Sequence, residues 1–209
     1  MPRIKYDDKV WLNEDCKLRG IGDELEGAFI QHQAALLIAF FEDTLAQLEN
    51  ALQARTILYR HYSTLYPLTL CEVEPGTLIT ALAQDLQGNN DLTADSDRHG
   101  SSLLVVIAEH HPLSTREQDL LQAVAALPCA GPIGFHCALT DPLMVRFGSE
   151  TIQRLFKQFG IDEQMPLSHA LISSALQKAQ AKIGQKVQTE MSAHSAEAWF
   201  QLNLPDGNQ

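Results

Sequence analysis

Residues 102–147 read SLLVVIAEHHPLSTREQDLLQAVAALPCAGPIGFHCALTDPLMVRF, and this stretch decides the fold. Its apolar run, 103–108, is short, β-branched and uninterrupted, the pattern of a strand buried on both faces. A polar break follows, then Ser114 with Glu117 three residues on, which predicts a capping-box helix start. Leu120, Leu121, Val124 and Leu127 recur at helical spacing until Pro128 ends the pattern. Residues 133–139 form a second strand candidate. Thr140, Asp141 and Pro142 then open another helix, with proline in its first turn. Strand, helix, strand and helix with short links is the grammar of a wound α/β domain. The expectation is a mostly parallel sheet of about five strands, with helices on both faces and 103–108 as a central strand.

Upstream, residues 1–10 are polar, an arm or a short edge strand. Leu18, Ile21, Leu25 and Phe29 predict a helix over 17–29, with Gly20 and Gly22 either loosening it or packing closely. Residues 35–41 read as a buried strand. Asp43 or Thr44 is expected to cap a helix that buries Leu45, Leu48, Ala51 and Leu52. Residues 57–62 and 68–73 read as strands. The link between them is too short for a parallel crossover. Either the pair is antiparallel or one segment is outside the main sheet. Pro75 is read as opening a helix with Leu78, Ile79, Leu82 and Leu86 on one face, and 87–101 as a long polar loop.

Downstream, Ser149 is expected to cap a helix with Ile152, Leu155, Phe156 and Phe159, stopped at Gly160. Pro166 precedes a helix through Leu171, Ile172, Ala175, Ala179, Ile183 and Val187, of about seven turns by its length. Trp199, Phe200 and Leu202 are expected to pin the tail to the body. The division read from this pattern is an α/β domain over 1–160 and a C-terminal helix and tail over 161–209.

The chain has 209 residues, is 45% hydrophobic and carries a net charge of −11. That suits one core-bearing domain with an extension and disfavours nucleic acid as a partner, because phosphate binding needs clustered Lys and Arg. No apolar run approaches the roughly 18 residues of a membrane span, and MPRIKYDD is no signal peptide, so the cytoplasm is the expected location. Cys16, Cys71, Cys129 and Cys137 form no close-pair motif, and the expectation is reduced thiols without a structural metal.

The stretch also resembles the second nucleotide-binding, RecA-like domain of SecA, the motor ATPase of preprotein export. LLVVIAEHHPLST and FHCALTDPLMVRFG are similar to that family's LHVIGTERHESRR and FYLSLEDDLMRIFG, at matching spacing. PLSHALISSALQKAQAKI resembles PIEHPMVTKAIENAQRKV, where the family's long scaffold helix begins. ALLIAFFEDTLAQLENAL and WLNEDCKLRGIGDEL resemble two upstream elements more weakly. The resemblance implies a helicase-lobe-2 fold, degenerate and stand-alone. The family's QLRGRAGRQGD arginines reach the γ-phosphate, and in this chain the matching residues are Leu121, Ala123 and Ala126. None of the three can donate a charged hydrogen bond. No GxxxxGK[ST] string occurs, and Gly20-Ile21-Gly22 is too short for a dinucleotide fingerprint.

Other chemistry-bearing residues are few. Glu109, His110 and His111 follow a strand end, where ligands of α/β sheets bind, so they are candidate ligand residues together with Arg116. The simpler reading is two solvent-facing histidines in a turn, beside a glutamate kept by descent. His136 and Cys137 are adjacent and point to opposite faces of a strand, so they cannot share an ion. Cys129 near His110 or His111 is a conceivable nucleophile pair, and an inert buried thiol is the plainer reading. Asp141 suits a helix N-terminus. No cofactor and no catalytic residue is assigned. The reading is a non-catalytic interaction or regulatory protein linked to Sec-dependent export, with a protein partner or a homodimer. The alternatives are a small-molecule or metal-dependent enzyme at Glu109, His110 and His111, and a nucleotide-binding module acting in trans.

Overall fold

In the computed structural model, the residues described are 4–66, 70, 72–86, 102–127, 129–147 and 164–205. Six strands form one all-parallel sheet. They are β1 (Asp7–Trp11), β2 (Ala34–Ala39), β3 (Arg60–His61), β4 (Leu78–Leu82), β5 (Leu103–Ile107) and β6 (Ala130–Ala138). Their order is β1-β6-β5-β2-β4-β3. β5 lies inside the sheet between β6 and β2, as its continuous apolar run predicts, and all five of its residues are buried.

Helices α1 (Glu14–Ile30) and α2 (Glu42–Ala54) cover one face, where Ile21, Leu25, Leu45 and Leu48 pack on Leu37, Leu78 and Val106. Helix α3 (Ser114–Ala125) covers the other, with Leu120, Leu121 and Val124 on Leu36, Ile79, Val105 and Phe135. Alternate residues of the inner strands β2, β4 and β5 thus serve opposite layers, which is why these strands have no exposed face. A third apolar cluster lies beyond the strand ends. It joins Val10, Phe41, Cys137 and Leu139 to α4 (Pro142–Phe147), α5 (Ala170–Lys186) and α6 (Ala196–Asn203), through Leu143, Met144, Ile172, Leu176, Trp199 and Phe200. Trp199 and Phe200 pin the tail as expected, whereas Leu202 is exposed.

Several local expectations are corrected. The segment beginning at Pro75 is not a helix: Leu78–Leu82 is β4, every residue buried, paired with β2 and β3. Leu78, Ile79 and Leu82 suit either period, and a five-residue run flanked by turn residues favours the strand. Of 68–73, the described residues Leu70, Glu72 and Val73 belong to no strand, which removes the short-crossover difficulty. β3 is only two exposed residues at the edge. Neither Asp43 nor Thr44 caps α2, whose N-cap residue is Phe41. α5 has 17 residues, about five turns rather than seven. The expected loop 87–101 and the helix after Ser149 lie outside the described residues.

Gly20 serves close packing: a Cβ there would meet the Trp11 ring at 2.1 Å. His136 and Cys137 do face opposite sides, the first accepting a hydrogen bond from Trp11 Nε1 at 3.1 Å, the second buried in the C-terminal cluster. Cys16, Cys129 and Cys137 are buried thiols outside any disulfide. Among the described residues, no helix is long and apolar enough to cross a membrane.

Candidate functional site

The chain runs from β2 toward β4 and β3 with α2 on one face, and from β5 toward β6 with α3 on the other. The neighbours β2 and β5 therefore flank the topological switch point, where open α/β sheets form their ligand crevice. Glu109, two residues past β5, stands there. Its Oε1 accepts the backbone N–H groups of Phe40 and Phe41 at 2.9 and 3.0 Å, and its Oε2 accepts the Thr44 hydroxyl at 2.8 Å. The carboxylate thus ties down the N–H groups of the turn before α2 and reaches the helix's first turn through the Thr44 hydroxyl. Burial pushes Glu109 up to about 7, against the pull of Lys17 and of the Thr44 and Phe41 donors.

His110 and His111 are 7% and 5% exposed, so the reading as solvent-facing histidines is corrected. The His110 ring stacks on Phe135, 4.6 Å between centroids. Its Nδ1 lies 2.9 Å from Glu117 Oε1, and its Nε2 lies 3.3 Å from Asp8 Oδ1. The first contact is a hydrogen bond; the second is bent off hydrogen-bond geometry and acts as charge proximity. Ser173 on α5 donates to the other Asp8 oxygen. Burial opposes a charge on His110, but Glu117, Asp8 and Cys137 outweigh it and raise its pKa well above the usual value. Here the expected capping box is also corrected. Helix α3 has no side-chain cap: its N-cap residue is Leu113, which offers no acceptor, Ser114 is already helical, and Glu117 turns inward to the imidazole.

His111 behaves oppositely. Burial lowers it to about 4, although Glu190 pulls upward. Its Nδ1 accepts the Leu113 N–H at 3.0 Å, which leaves the proton on Nε2, 3.4 Å from Glu190 Oε1. Phe41 stacks on this ring and Trp199 meets it edge-on, at 5.5 and 5.7 Å. Glu190 also accepts Trp199 Nε1 at 2.9 Å and Arg116 Nε at 2.7 Å. Burial disfavours its charge, but those donors hold the carboxyl below its usual range.

Arg116, on the first turn of α3, therefore reaches Glu190 in this structure. Leu121 is part of the core beneath α3, Ala123 borders a cavity of about 390 Å³, and Ala126 is exposed beyond the helix end. On the far side of the crevice a second cavity, about 360 Å³, is bordered by Glu109, Lys17 and Asp141. Lys17 is buried and sits 2.9 Å from Glu14 and 3.2 Å from Asp141. Burial disfavours its charge, yet Asp141 and Glu14 raise its pKa above the usual value. Asp141 also accepts the Ala138 N–H at 2.9 Å, so its role exceeds a helix-start carboxylate. Among the described residues, no group of three His, Cys, Asp or Glu side chains is placed to hold a metal ion.

The structure thus gathers Glu109, His110, His111 and Arg116 at the carboxyl end of the central strands but gives each a separate task. Both Glu109 oxygens are satisfied by the chain, and both His111 nitrogens face chain groups, so neither presents a vacant position to a substrate. Asp8, Glu117, Lys17 and Glu190 complete the networks, and no motif announced Asp8, Lys17 or Glu190. Of these, Glu117 alone carried a sequence signal, and that signal pointed to a helix cap rather than to His110.

An all-parallel sheet, helices on both faces and a crevice at the β2/β5 boundary define a doubly wound, open α/β domain. Within that class, nearly the whole chain is similar to the protein translocase subunit SecA. It is 25% identical over 188 residues to SecA of Caldicellulosiruptor saccharolyticus, covering 88% of this chain and 22% of the relative. For SecA of Heliobacterium modesticaldum the identity is 22%, with the same coverage, and for Syntrophomonas wolfei it is 24%, covering 87% of this chain and 23% of the relative. The chain thus spans about a fifth of the length of these relatives. No family model matches. Solved structures similar to it include the C-terminal domain of a possible DNA helicase from Lactobacillus (13% identity, TM-score 0.41, 64% of this chain and 73% of that one). Another is the C-terminal part of the Fun30 ATPase domain (12% identity, TM-score 0.41, 83% of this chain and 56% of that one).

Proposed function

We propose that this chain is a non-catalytic, SecA-like interaction or regulatory module that works through protein contacts linked to Sec-dependent export. The observation that carries the reading is the composition of α3 and its C-terminal cap. Where the resemblance to SecA aligns arginines that stabilise transferring phosphate, the chain has Leu121, Ala123 and Ala126. An arginine of that kind is worth about a thousand-fold or more in rate. Leu121 is committed to the core, and Arg116 is engaged by Glu190. The switch-point crevice supports the same reading, because the Glu109 carboxylate itself occupies the chain turn that leads into α2. We further propose that 161–209 acts as an extension of the 1–160 body, with α5 and α6 lying across its strand ends.

The test is co-purification of the tagged full chain with Sec components from cells, under mild crosslinking. Specific recovery of a Sec component, lost when the tagged chain is replaced by an unrelated α/β domain, is expected. Recovery of none across growth conditions that demand export would contradict the export link.

A further inference from the structure

Residues 187–204 form a strap across the C-terminal edge of the sheet, and the strap divides the crevice. Glu190, Ala193 and Trp199 border the cavity of about 390 Å³, while Ser195, Glu197 and Phe200 border that of about 360 Å³. The strap contains two glutamates and no lysine or arginine. Each glutamate meets an arginine from a different helix of the body. Glu190 pairs with Arg116 of α3 at 2.7 Å, and Glu197 with Arg146 of α4 at 3.6 Å. Between them the strap inserts Trp199 against His111 and Phe200 beneath the Arg146 guanidinium, 5.0 Å from the ring centroid. Its backbone is held at one further point, where the His194 carbonyl accepts the Asp43 N–H at 3.1 Å on the first turn of α2. The body therefore offers a preformed receptor: two arginines at opposite rims, an aromatic floor of Phe41 and His111, and the Asp43 N–H that the strap's His194 carbonyl occupies.

We propose that this crevice is a docking groove for an acidic, aromatic helical segment of a protein partner, and that the strap is its resident occupant, displaced when that segment binds. The charge complementarity sets the class of partner: one carboxylate for each arginine rim, with adjacent aromatic residues on a helical turn, as Trp199 and Phe200 stand on α6 while Glu190 precedes it in non-helical chain. A basic or purely aliphatic segment lacks both matches. The inference deepens the reading as an interaction module without depending on the partner's being a Sec component. A failed co-purification with Sec components leaves the groove intact, and a failed peptide experiment leaves Sec contacts elsewhere on the surface.

The probe is a fluorescein-labelled peptide with the sequence of residues 187–205, titrated by anisotropy against the full chain. Binding to the unaltered chain is expected to be weak, because a tethered strap competes at an effective concentration on the order of millimolar. Reversing the strap in the chain, Glu190→Arg with Glu197→Arg, sets it against Arg116 and Arg146 and is expected to tighten peptide binding at least tenfold. Adding Arg116→Glu and Arg146→Glu restores the internal pairs and is expected to close the groove again. That fourfold variant also shows that the chain tolerates the substitutions. A peptide carrying both reversals is expected to bind the chain with Arg116→Glu and Arg146→Glu alone. Equal affinity of native and reversed peptides for every folded variant overturns the proposal. So does strap exchange into dimers without peptide binding, which would make a second copy the occupant.

Discussion

The Glu109 carboxylate accepts the Phe41 backbone N–H at 3.0 Å, joining the end of β5 to the start of α2 across the switch point. The contact lets the chain fill its own crevice. It also puts a buried acid where the sheet would otherwise receive a ligand, and that placement has consequences for stability.

Glu109→Ala leaves the N–H groups of Phe40 and Phe41 and the Thr44 hydroxyl without their acceptor, at about 1–3 kcal/mol for each group that water cannot reach. Glu109→Gln keeps an acceptor and removes the charge. Because burial raises the folded pKa to about 7, above the usual carboxylate value, the favourable contribution is complete below pH 4.5 and is lost as pH rises through 7. Urea unfolding from pH 4 to 8 is expected to show that decline in the native chain and its absence in Glu109→Gln. An unchanged slope would show that the carboxylate ionises at ordinary pH.

His110 and His111 are expected to titrate in opposite directions. The raised pKa of His110 contributes stability that is present below pH 6.5 and lost as pH climbs above it toward the folded value. His111, lowered to about 4, contributes stability present above pH 6.5 and lost as pH falls through 4. Imidazole ¹⁵N shifts at pH 7 are expected to report a charged ring for His110 and a neutral Nε2–H ring for His111. Two neutral rings would break the Asp8–His110–Glu117 account.

Glycines in one helix are expected to behave differently. Gly20→Ala pushes a methyl group into the Trp11 ring, at a cost of about 1–3 kcal/mol from overpacking. Gly27→Ala meets nothing within 4 Å and is expected to gain roughly 0.5–1 kcal/mol from helix preference. Equal melting shifts for the two would show that Trp11 moves aside at little cost.

What could be read from the sequence follows from how local each signal is. The run at 103–107 and the stripe of Leu120, Leu121 and Val124 depend on neighbours in sequence, and both elements stand where expected. Leu78–Leu82 was ambiguous because its apolar spacing fits either period, and only pairing with β2 decides it. Glu117 has the spacing of a capping box but belongs to His110, whose burial also depends on Asp8 and Ser173, more than a hundred and sixty positions apart in the case of Asp8 and Ser173. No local pattern carries contacts of that range. The crevice position of Glu109 follows from its strand end, but its partners Phe40 and Phe41 come from the turn between β2 and α2.

The most direct test of the central claim is phosphate release from ATP by a separately purified first nucleotide-binding lobe of SecA, mixed with this chain at saturating concentration. The account predicts no turnover above that of the first lobe alone. Leu121, Ala123 and Ala126 cannot supply charge to the γ-phosphate, and Arg116 is paired with Glu190. Stimulated turnover that disappears with Arg116→Ala would contradict it, by showing that the arginine has been relocated rather than lost.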